Sequence, residues 1–552
     1  MRRNLGDEFE AAFARYRERI AVEVGGRSWS FADLDRWSAA VAAQLRGRGV
    51  GAGDAVALHL TNGVEFVVAD VAVARLGAVK VPVNPLLPEA TVAHILRASK
   101  ARAVIGATSL GGRADLCVSD DGGDPPAERL AGPQDVAPPE RSGVGPGGRA
   151  AIYFTGGTTG LPKGVVHTQA SAVAVHYAQI VEAEIAQSDR LLLSTPLAHA
   201  AGLFAQSALI RGATSVIEPG FDAARTLELL RTRGITWTFL VPTMIYRLLD
   251  LAAGSASVSR VGSAGSASVS RVGSAGSASV SRVGSAGSAR VSRVGSASVS
   301  RVGSASAETL ELRTVVYGAA PIAPSRLAQA LDAFGPVFVQ LYGQTECPNW
   351  GTRLAKSDHD PARPELLGSC GRASIMADVQ VVAEDGTPLP VGDTGEICLR
   401  SPYTLESYLD DPAATAAKFL PDGWIRTGDV GFLDAAGYLH LRDRTSDMVI
   451  SGGMNVYCRE VEDALARHPA VARVAVIGVP HEDWGEAVHA VVVPRAGFDA
   501  DELVAWSRGE LAAYARPKSV EVVADLPETP FGKIDKKVLR APHWAGRDRA
   551  IG

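Results

Sequence analysis

Cysteine is scarce in the sequence, and the arrangement of the few cysteines argues against a cross-linked fold. The 552-residue chain contains five, at scattered positions and without a CxxC pair: Cys117, Cys347, Cys370, Cys398 and Cys458. An odd and scattered set of this kind indicates neither a disulfide framework nor a zinc site. Because disulfides are rare in reducing compartments, the pattern favours a cytoplasmic protein.

The chain also lacks an excess of positive charge and an N-terminal targeting segment. Its net charge is −5 and charged residues make up 21% of the sequence. A nucleic-acid-binding domain usually carries a basic excess, so we expect no nucleic-acid partner. The opening residues, MRRNLGDEFEAAFARYRERI, contain no apolar core of a signal peptide.

A clean membrane span is missing too. The longest stretch without a charged residue, 191–210, has the length of a spanning helix. Polar or helix-breaking residues interrupt this stretch: Ser194, Thr195, Pro196, His199, Gln206 and Ser207. Because polar groups are costly in lipid, we expect a buried strand, a loop and a helix there instead.

What the sequence does contain is a regular alternation of apolar strands and helices. AVALHL (55–60), VEFVVADVAVARLG (64–77) and AVKVPVN (78–84) read as strand, helix and strand, which is a parallel βαβ unit. The same alternation recurs over 191–243. It predicts an α/β fold in which helices and sheets form layers.

The pattern changes towards the C-terminus. After about residue 376, strands around turns such as Asp385-Gly386 predict antiparallel hairpins and a small β subdomain. A smaller α+β unit follows, with a helix at 459–467 and strands at 471–478 and 487–494. We therefore predict a large N-terminal domain of several subdomains, 1–443, and a smaller C-terminal domain, 444–552.

One segment within the large domain is a tandem repeat. GSASVSRVGSA occupies 254–264, recurs unchanged at 265–275 and 276–286, and decays into octamers up to residue 302. An eleven-residue period can form a right-handed helical supercoil. However, each repeat offers too little apolar surface to offset the entropy of ordering. A flexible surface loop over 254–306 is the favoured interpretation.

The stretch TGGTTGLPKGV (155–165) has the composition of an anion-binding loop. It is not a Walker A loop, because Lys163 follows a proline and the G-x4-G-K-[ST] spacing fails. Glycines nevertheless allow backbone N–H groups to converge on a phosphate, and the threonines and Lys163 add donors and a cation. A plain Gly/Thr-rich turn after a strand is the alternative.

Seven motifs in order identify the family that this chain resembles. They are TGGTTGLPKGV, PLAH (196–199), YGAAP (317–321), LYGQTE (341–346), RTGDVG (426–431), LRDRTSDMVISGGMNVY (441–457) and TPFGKIDKKVLR (529–540). They resemble the adenylate-forming superfamily of acyl-CoA synthetases, adenylation domains and luciferases, and most closely its stand-alone acyl- or aryl-CoA ligases. The resemblance covers the whole chain except the repeat.

The resemblance implies two half-reactions and their cofactors. An organic acid reacts with ATP to give an acyl-adenylate and pyrophosphate, and coenzyme A then displaces AMP. It implies a Mg²⁺ site at Glu346, with Thr155 as a further oxygen ligand. The catalytic residues that it implies are Lys533, Lys163 and His199. The ATP-binding residues that it implies are Thr155, Gly156, Gly157, Thr158, Thr159, Gly160, Lys163, Gly318, Ala319, Ala320, Tyr342, Gly343, Thr345, Asp429, Arg444 and Lys533.

Within that set the resemblance implies distinct tasks. Asp429 would accept hydrogen bonds from the ribose hydroxyls, and Tyr342 would stack on adenine. Lys533 would stabilise charge in the transition state of adenylation. The neighbouring lysines, Lys536 and Lys537, are expected to be solvated.

The resemblance further implies a mobile C-terminal domain that rotates between the two half-reactions. The hinge is expected at Ser446, where relatives usually carry Asp or Lys. Ser451, Gly452 and Gly453 would then bind coenzyme A. Cys458 is a second departure, since proline is common at that place.

The acid itself is only loosely constrained by the sequence. We expect Phe204, Trp237 and Tyr317 to form an apolar slot, with Asn349 and Trp350 adding a polar contact and a ring. Three alternatives stay open. The acceptor could be a carrier-protein thiol instead of coenzyme A, nitrite could be activated and passed to an aromatic amine to give a diazo product, or the chain could be a non-catalytic nucleotide-binding protein.

Overall fold

The three-dimensional structure is a computed structural model. The residues that it describes are 4–106, 115–118, 128–134, 136–137, 140, 142–155, 162–252, 310–444, 447–451, 454–481, 484–529 and 533–545. Five sets of sequence predictions therefore lie outside the described residues: the repeat at 254–306, the loop 156–160, Ser446, Gly452 and Gly453.

Strands and helices alternate along most of the described chain. The strands are β1 (Ile20–Val24), β2 (Arg27–Ser30), β3 (Ala55–His59), β4 (Val79–Pro82), β5 (Ala103–Gly106), β6 (Leu116–Cys117), β7 (Glu128–Arg129), β8 (Arg149–Thr155), β9 (Lys163–Thr168), β10 (Arg190–Leu193), β11 (Thr214–Ile217), β12 (Trp237–Leu240), β13 (Thr314–Gly318), β14 (Phe338–Gln344), β15 (Cys347–Leu354), β16 (Arg372–Ala373), β17 (Asp378–Val382), β18 (Gly395–Arg400), β19 (Ser407–Tyr408), β20 (Ile425–Leu433), β21 (Leu439–Arg444), β22 (Val449–Ser451), β23 (Met454–Val456), β24 (Val471–His481), β25 (Gly485–Pro494) and β26 (Ser519–Val522). The helices are α1 (Leu5–Tyr16), α2 (Phe31–Gly47), α3 (Val64–Arg75), α4 (Glu89–Ser99), α5 (Gln169–Glu182), α6 (Ala200–Arg211), α7 (Ala223–Thr232), α8 (242–252), α9 (Pro324–Phe334), α10 (Pro364–Leu367), α11 (Pro412–Lys418), α12 (Cys458–Leu465), α13 (Ala500–Glu510) and α14 (Lys536–Arg540).

Two large sheets organise the first 410 or so residues. One has the order β16-β15-β14-β13-β12-β10-β11-β1-β2, and the other has the order β19-β9-β8-β4-β3-β5-β6-β7. The predicted βαβ unit is confirmed: β3 and β4 pair in parallel, with α3 between them in sequence. The large apolar core contains residues of both sheets and of α1, α2, α3, α5 and α6. The predicted layered α/β fold is confirmed.

Helix α3 shows why this region needs both sheets. All but one of its residues are buried, the exception being Glu65. A helix that is apolar on every side is stable in water only when other elements cover all of its faces. Helix α3 contacts β1 of one sheet, β3 and β4 of the other, and α1, α2 and α6 beside it.

Two smaller sheets complete the fold. The strands β17, β18, β20 and β21 form an antiparallel sheet, as predicted for the region after residue 376. The fourth sheet has the order β23-β22-β25-β24, with β26 beside β25, and packs with α12 and α13 in a core of its own. The predicted smaller α+β unit is thus confirmed, whereas the boundary after residue 443 stays a prediction.

Parallel pairing aligns the strand ends that carry the motifs. The strands β10, β12, β13 and β14 are parallel neighbours, so their carboxyl ends lie on one edge of the sheet. Ligands of open α/β sheets bind outside such an edge. His199 follows β10, β13 ends within the YGAAP motif, and β14 ends within LYGQTE.

No helix in the described ranges has the length and apolar character that a membrane crossing requires.

Candidate active site

The predicted ribose and adenine residues form one hydrogen-bonded pair. The Tyr342 hydroxyl donates to Asp429 Oδ2 at 2.7 Å, and Asp429 is 5% exposed. Burial and the negative charge of Asp429 raise the pKa of Tyr342, so the phenol stays protonated and keeps donating. Arg444 lies directly opposite Asp429 in the β20–β21 ladder. The β20–β21 ladder and the hydrogen bond from β14 thus bring Asp429, the backbone of Arg444 and Tyr342 together.

A second group of residues surrounds the predicted magnesium ligand. Glu346 is 8% exposed and accepts a hydrogen bond from the Tyr408 hydroxyl at 2.6 Å. Lys418 Nζ lies 3.9 Å from the same carboxylate oxygen. Burial and the Glu346 charge raise the pKa of Tyr408, so this phenol also stays protonated. Tyr408 was not predicted, because nothing in the local sequence relates it to a glutamate 62 residues earlier.

Tyr408 also links Glu346 to the phosphate-loop residues. Its strand, β19, pairs with β9, and the Lys163 ammonium lies 5.6 Å from the centre of the Tyr408 ring. Thr155 is the ladder partner of Lys163 across β8 and β9. Lys163 itself is 49% exposed and pairs with Asp411 at 3.1 Å. The structure therefore groups Thr155, Lys163 and Glu346, as the resemblance implied.

The charge of Lys533 acts on His199 although 334 positions separate the two residues in the sequence. His199 precedes the first turn of α6, and its Nε2 is 3.3 Å from Asn84 Nδ2. Burial first, and then repulsion by the Lys533 charge, lower the pKa of His199 to about 4. The imidazole is consequently neutral at pH 7. Asn84 is a further contact that sequence reasoning missed.

The segment that carries Lys533 is fixed by backbone and ionic contacts. Thr529 N–H donates to Lys533 O at 2.7 Å, and Lys533 N–H donates to Thr529 Oγ1 at 3.3 Å. Glu528, the residue before Thr529, pairs with Arg473 at 2.6 Å and with Arg247 of α8 at 3.3 Å. The second pair connects the Lys533 segment to the large domain.

Backbone packing explains two of the predicted small residues. A Cβ at Gly318 would lie 2.4 Å from Leu341 O, and a Cβ at Gly343 would lie 2.7 Å from Cys347 O. Both glycines are therefore required by the close approach of the β13, β14 and β15 backbones. Ala319 is exposed and has a φ of 66°, which is unusual for a non-glycine residue. The contact of Gly318, Ala319 and Ala320 with adenine stays a prediction.

Thr345 and Ser451 are the remaining predicted residues that the structure describes. The Thr345 carbonyl accepts a hydrogen bond from His167 Nε2 at 2.8 Å, and burial lowers the pKa of His167 to about 4. His167 thus holds the backbone next to Glu346. Ser451 lies in β22, is buried, and its hydroxyl has no hydrogen-bond partner among the residues that the structure describes.

The predicted apolar slot is wrong. Phe204 and Trp237 do pack together, with ring centroids 4.9 Å apart, but Tyr317 belongs to a separate core cluster. Tyr317 pairs with Leu240, three residues beyond Trp237, so the two rings point to opposite faces of the sheet. Its hydroxyl lies 3.0 Å from His359 Nε2.

Two smaller expectations also need correction. Asn349 and Trp350 are buried, and both donate to Gln179 Oε1, at 2.7 and 3.3 Å. Their polar groups are therefore occupied by a residue of α5 that the sequence did not single out. Lys536 is not solvated: its side chain is 16% exposed and its Nζ lies 2.8 Å from Glu462. Lys537 is exposed, as expected.

A buried polar network lies next to His167. The Lys80 ammonium lies 3.0 Å from Asp70, which also accepts from Gln206 at 2.9 Å. These side chains line a cavity of about 30 Å³ together with His167, His176 and Tyr153. A cavity of this size holds one or two water molecules.

Comparison with known proteins agrees with the geometry. The chain matches the AMP-binding enzyme family over residues 9–409 and the AMP-binding enzyme C-terminal domain over 460–533. It is 38% identical to the medium/long-chain-fatty-acid–CoA ligase FadD8 of Mycobacterium tuberculosis, over 73% of this chain and 62% of that relative's length. It is 34% identical to a feruloyl-CoA synthase of an Amycolatopsis species, over 94% of this chain and 95% of that relative.

A solved structure shares the whole fold. The amide bond synthetase McbA from Marinactinospora thermotolerans superposes with a TM-score of 0.78 at 31% identity, over 97% of this chain and 99% of that one. The resemblance seen in the seven motifs is thereby confirmed over nearly the full length. This chain belongs to the AMP-binding enzyme family, and it is an adenylate-forming enzyme.

Proposed function

We propose that the chain is an acid–thiol ligase that joins an organic acid to coenzyme A at the expense of ATP. A carboxylate oxygen of the acid attacks the α-phosphorus, pyrophosphate leaves, and an acyl-adenylate forms. The sulfur of coenzyme A then attacks the acyl carbon, AMP leaves, and the thiol proton passes to solvent. The likeness to CoA ligases of fatty and aromatic acids supports an acyl or aryl acid as the substrate.

The observation that carries the proposal is that the Lys533 charge acts on His199, a buried histidine that follows β10 at the carboxyl edge of the sheet. Negative charge increases where the acid carboxylate meets the phosphate, and a fixed cation stabilises that charge. Lys533 supplies the cation. His199 is neutral at pH 7, so it can hydrogen-bond to the acid without adding a second charge. Both roles are those that the sequence resemblance implied.

Glu346 and Thr155 would hold the magnesium ion that accompanies ATP. The site offers the oxygen ligands that Mg²⁺ prefers, namely a buried carboxylate and a nearby hydroxyl. Mg²⁺ would neutralise charge on the phosphate oxygens. Tyr408 and Lys418 hold the Glu346 carboxylate in place, and Lys163 lies beside them with a charge for the phosphates.

We further propose that the C-terminal domain, 444–552, turns about Ser446 between the half-reactions. The Arg247–Glu528 contact would break in that motion. Arg247 is 53% exposed, and exposed ion pairs contribute about 1 kcal/mol or less, so the contact opposes the rotation only weakly. Ser451, Gly452 and Gly453 would then meet the thiol. The Ser451 hydroxyl, which is buried and has no hydrogen-bond partner within the described part of the chain, supports a polar role for Ser451.

Cytoplasmic location is part of the same proposal. All five cysteines are free thiols and all are buried. A chain with five unpaired thiols is typical of a reducing compartment.

A nitrogen acceptor is the second candidate, and the likeness to an amide bond synthetase favours it. The adenylation half-reaction would be identical, but an amine would attack the acyl carbon. Nitrite activation with transfer to an aromatic amine also ends on a nitrogen acceptor. Transfer to a carrier-protein thiol is a separate alternative that keeps a sulfur acceptor. All of them use the residues described above for the first step.

The test is an assay of AMP and pyrophosphate release with fatty acids, benzoates and cinnamates. Each acid is offered with coenzyme A, with an amine, and with neither, and nitrite plus an arylamine forms a separate reaction. Release that requires both an organic acid and coenzyme A supports the ligase. Lys533→Ala should abolish it, whereas Lys537→Ala, an exposed neighbour, should not. If AMP and pyrophosphate are released only with an amine or with nitrite, the acceptor is the nitrogen compound of the second candidate and not coenzyme A.

A further inference from the structure

Three potential metal ligands converge in the C-terminal domain, at positions that belong to none of the seven motifs. His489 of β25, Glu521 of β26 and His543, which follows α14, place their ligand atoms within 4.8 Å of one another. His489 and His543 face each other with ring centroids 5.0 Å apart. Three elements that are separate in sequence therefore contribute one ligand each.

The pairing of β25 and β26 explains how two of the ligands meet. His489 is the ladder partner of Ser519, so Glu521, two residues on, lies on the same face of the sheet. Glu521 Oε2 is 3.4 Å from His489 Nε2. Glu521 is about half exposed, which leaves its carboxylate free to rotate towards an ion.

His489 is held in the orientation that a metal ligand needs. It is 6% exposed, and its Nδ1 lies 2.7 Å from Ser519 Oγ. When the Nδ1 proton is donated to Ser519, the Nε2 lone pair points towards Glu521 and His543. Metal-binding histidines are typically fixed by such a hydrogen bond on the opposite nitrogen.

The third ligand is brought to the sheet by the C-terminal segment. His543 N–H donates to Arg540 O at 3.0 Å, and the next residue, Trp544, donates its indole N–H to Gly478 O of β24 at 2.9 Å. This segment continues from Lys533 through α14. A metal bound here would tie the end of that segment to β25 and β26.

We propose that His489, Glu521 and His543 form a binding site for a divalent transition metal, with Zn²⁺ as the representative ion. Two imidazoles and a carboxylate suit Zn²⁺ rather than Mg²⁺ or Ca²⁺. Tetrahedral Zn²⁺ with ligand bonds of about 2.0–2.2 Å needs ligand atoms about 3.3 Å apart, so rotation of Glu521 and a small shift of His543 complete the site. A water molecule takes the fourth position. The lack of CxxC pairs in the sequence argues only against a cysteine-based zinc site, and no cysteine takes part in this one.

Calorimetric titration of the tag-free, chelator-treated full chain with Zn²⁺ tests the proposal. We expect one Zn²⁺ per chain, with binding weakened about tenfold or more in His543→Ala and in Glu521→Gln. His481→Ala removes an exposed histidine of the same domain and should leave binding unchanged. Zn²⁺ should also raise the unfolding temperature and slow amide exchange over 541–545 in the wild type and in His481→Ala, but not in His543→Ala or Glu521→Gln.

Two results would overturn the proposal. One is the absence of saturable Zn²⁺ binding by the wild type. The other is equal binding by the wild type, Glu521→Gln and His543→Ala, which would assign the ion to another surface. Because Glu521 is half exposed and Gln keeps its shape, Glu521→Gln retains the fold, and its unfolding temperature without metal verifies this.

Discussion

Replacing Tyr408 by phenylalanine isolates one hydrogen bond at the proposed magnesium site. The substitution removes only the hydroxyl that donates to Glu346 at 2.6 Å, and it leaves the ring beside Lys163 in place. The raised pKa of Tyr408 means that the hydroxyl donates throughout the usual assay range. Without it, the charged partner that Glu346 keeps among the described residues is the Lys418 ammonium at 3.9 Å.

The expected loss follows from the type of bond. A hydrogen bond to a charged group contributes about 1.5–3 kcal/mol, and Glu346 is too buried for water to replace the hydroxyl fully. Converted at 1.4 kcal/mol per decade, this is roughly a 10- to 100-fold loss in the apparent affinity for Mg²⁺·ATP. The acid should bind as before, because Tyr408 contacts Glu346 and Lys163 and not the His199 side of the site.

ATP–pyrophosphate exchange measured across a Mg²⁺ titration gives the affinity directly. The matched control is Tyr177→Phe, which removes a phenol that donates to the Glu8 carboxylate at 2.8 Å, far from the strand edge. If Tyr408→Phe shows the wild-type Mg²⁺ dependence, or if both variants lose activity equally, Tyr408 does not position a metal ligand and the proposed role of Glu346 loses its main support.

Two further predictions concern His199 and the Asp70–Lys80 pair. Because the pKa of His199 falls from 6.5 to about 4 on folding, the unfolded chain binds more protons between these values, and stability is lost as the pH drops from 6.5 towards 4. His199→Gln should reduce that loss by about 3 kcal/mol in urea unfolding series at pH 7 and pH 4, and identical pH dependence in both proteins would contradict this. Lys80→Met leaves the Asp70 carboxylate buried without its cation and should cost about 3–5 kcal/mol in the same assay at pH 7. The double variant with Asp70→Leu should recover most of the loss, and equal losses in single and double variants would show that packing rather than charge is responsible.

The sequence was sufficient wherever a feature depends on neighbouring residues. The βαβ unit at 55–84 was predictable because its apolar run is local, and turns followed from residue pairs such as Asp385-Gly386. Gly318 ends β13 and Glu346 lies two residues beyond β14, both within short motifs, and the parallel pairing of these strands brings the two ends to one edge of the sheet. Partners distant in sequence were not predictable: Tyr408 for Glu346, Asn84 for His199 and Gln179 for Asn349.

Tyr317 shows why an aromatic pocket is harder to predict than a motif. Its residue type and its place in YGAAP were compatible with a slot beside Trp237. Whether the two rings share a face depends on the register between β12 and β13, and a shift of one residue would reverse the outcome. That register is set by the packing of two entire strands and leaves no mark in the local pattern.

Lys533 and Lys536 make the same point about charge. They are three residues apart and carry the same side chain, but the charge of Lys533 acts on His199, whereas Lys536 pairs with Glu462 at 2.8 Å. Helix α14 begins at Lys536, so Lys536 packs against the C-terminal core, whereas Lys533 lies on the loop before it. The difference arises from where the helix starts and from a glutamate 74 residues earlier in the chain. Local sequence therefore does not tell the two lysines apart, and only the tertiary contacts separate the lysine whose charge acts on His199 from the lysine that pairs with Glu462.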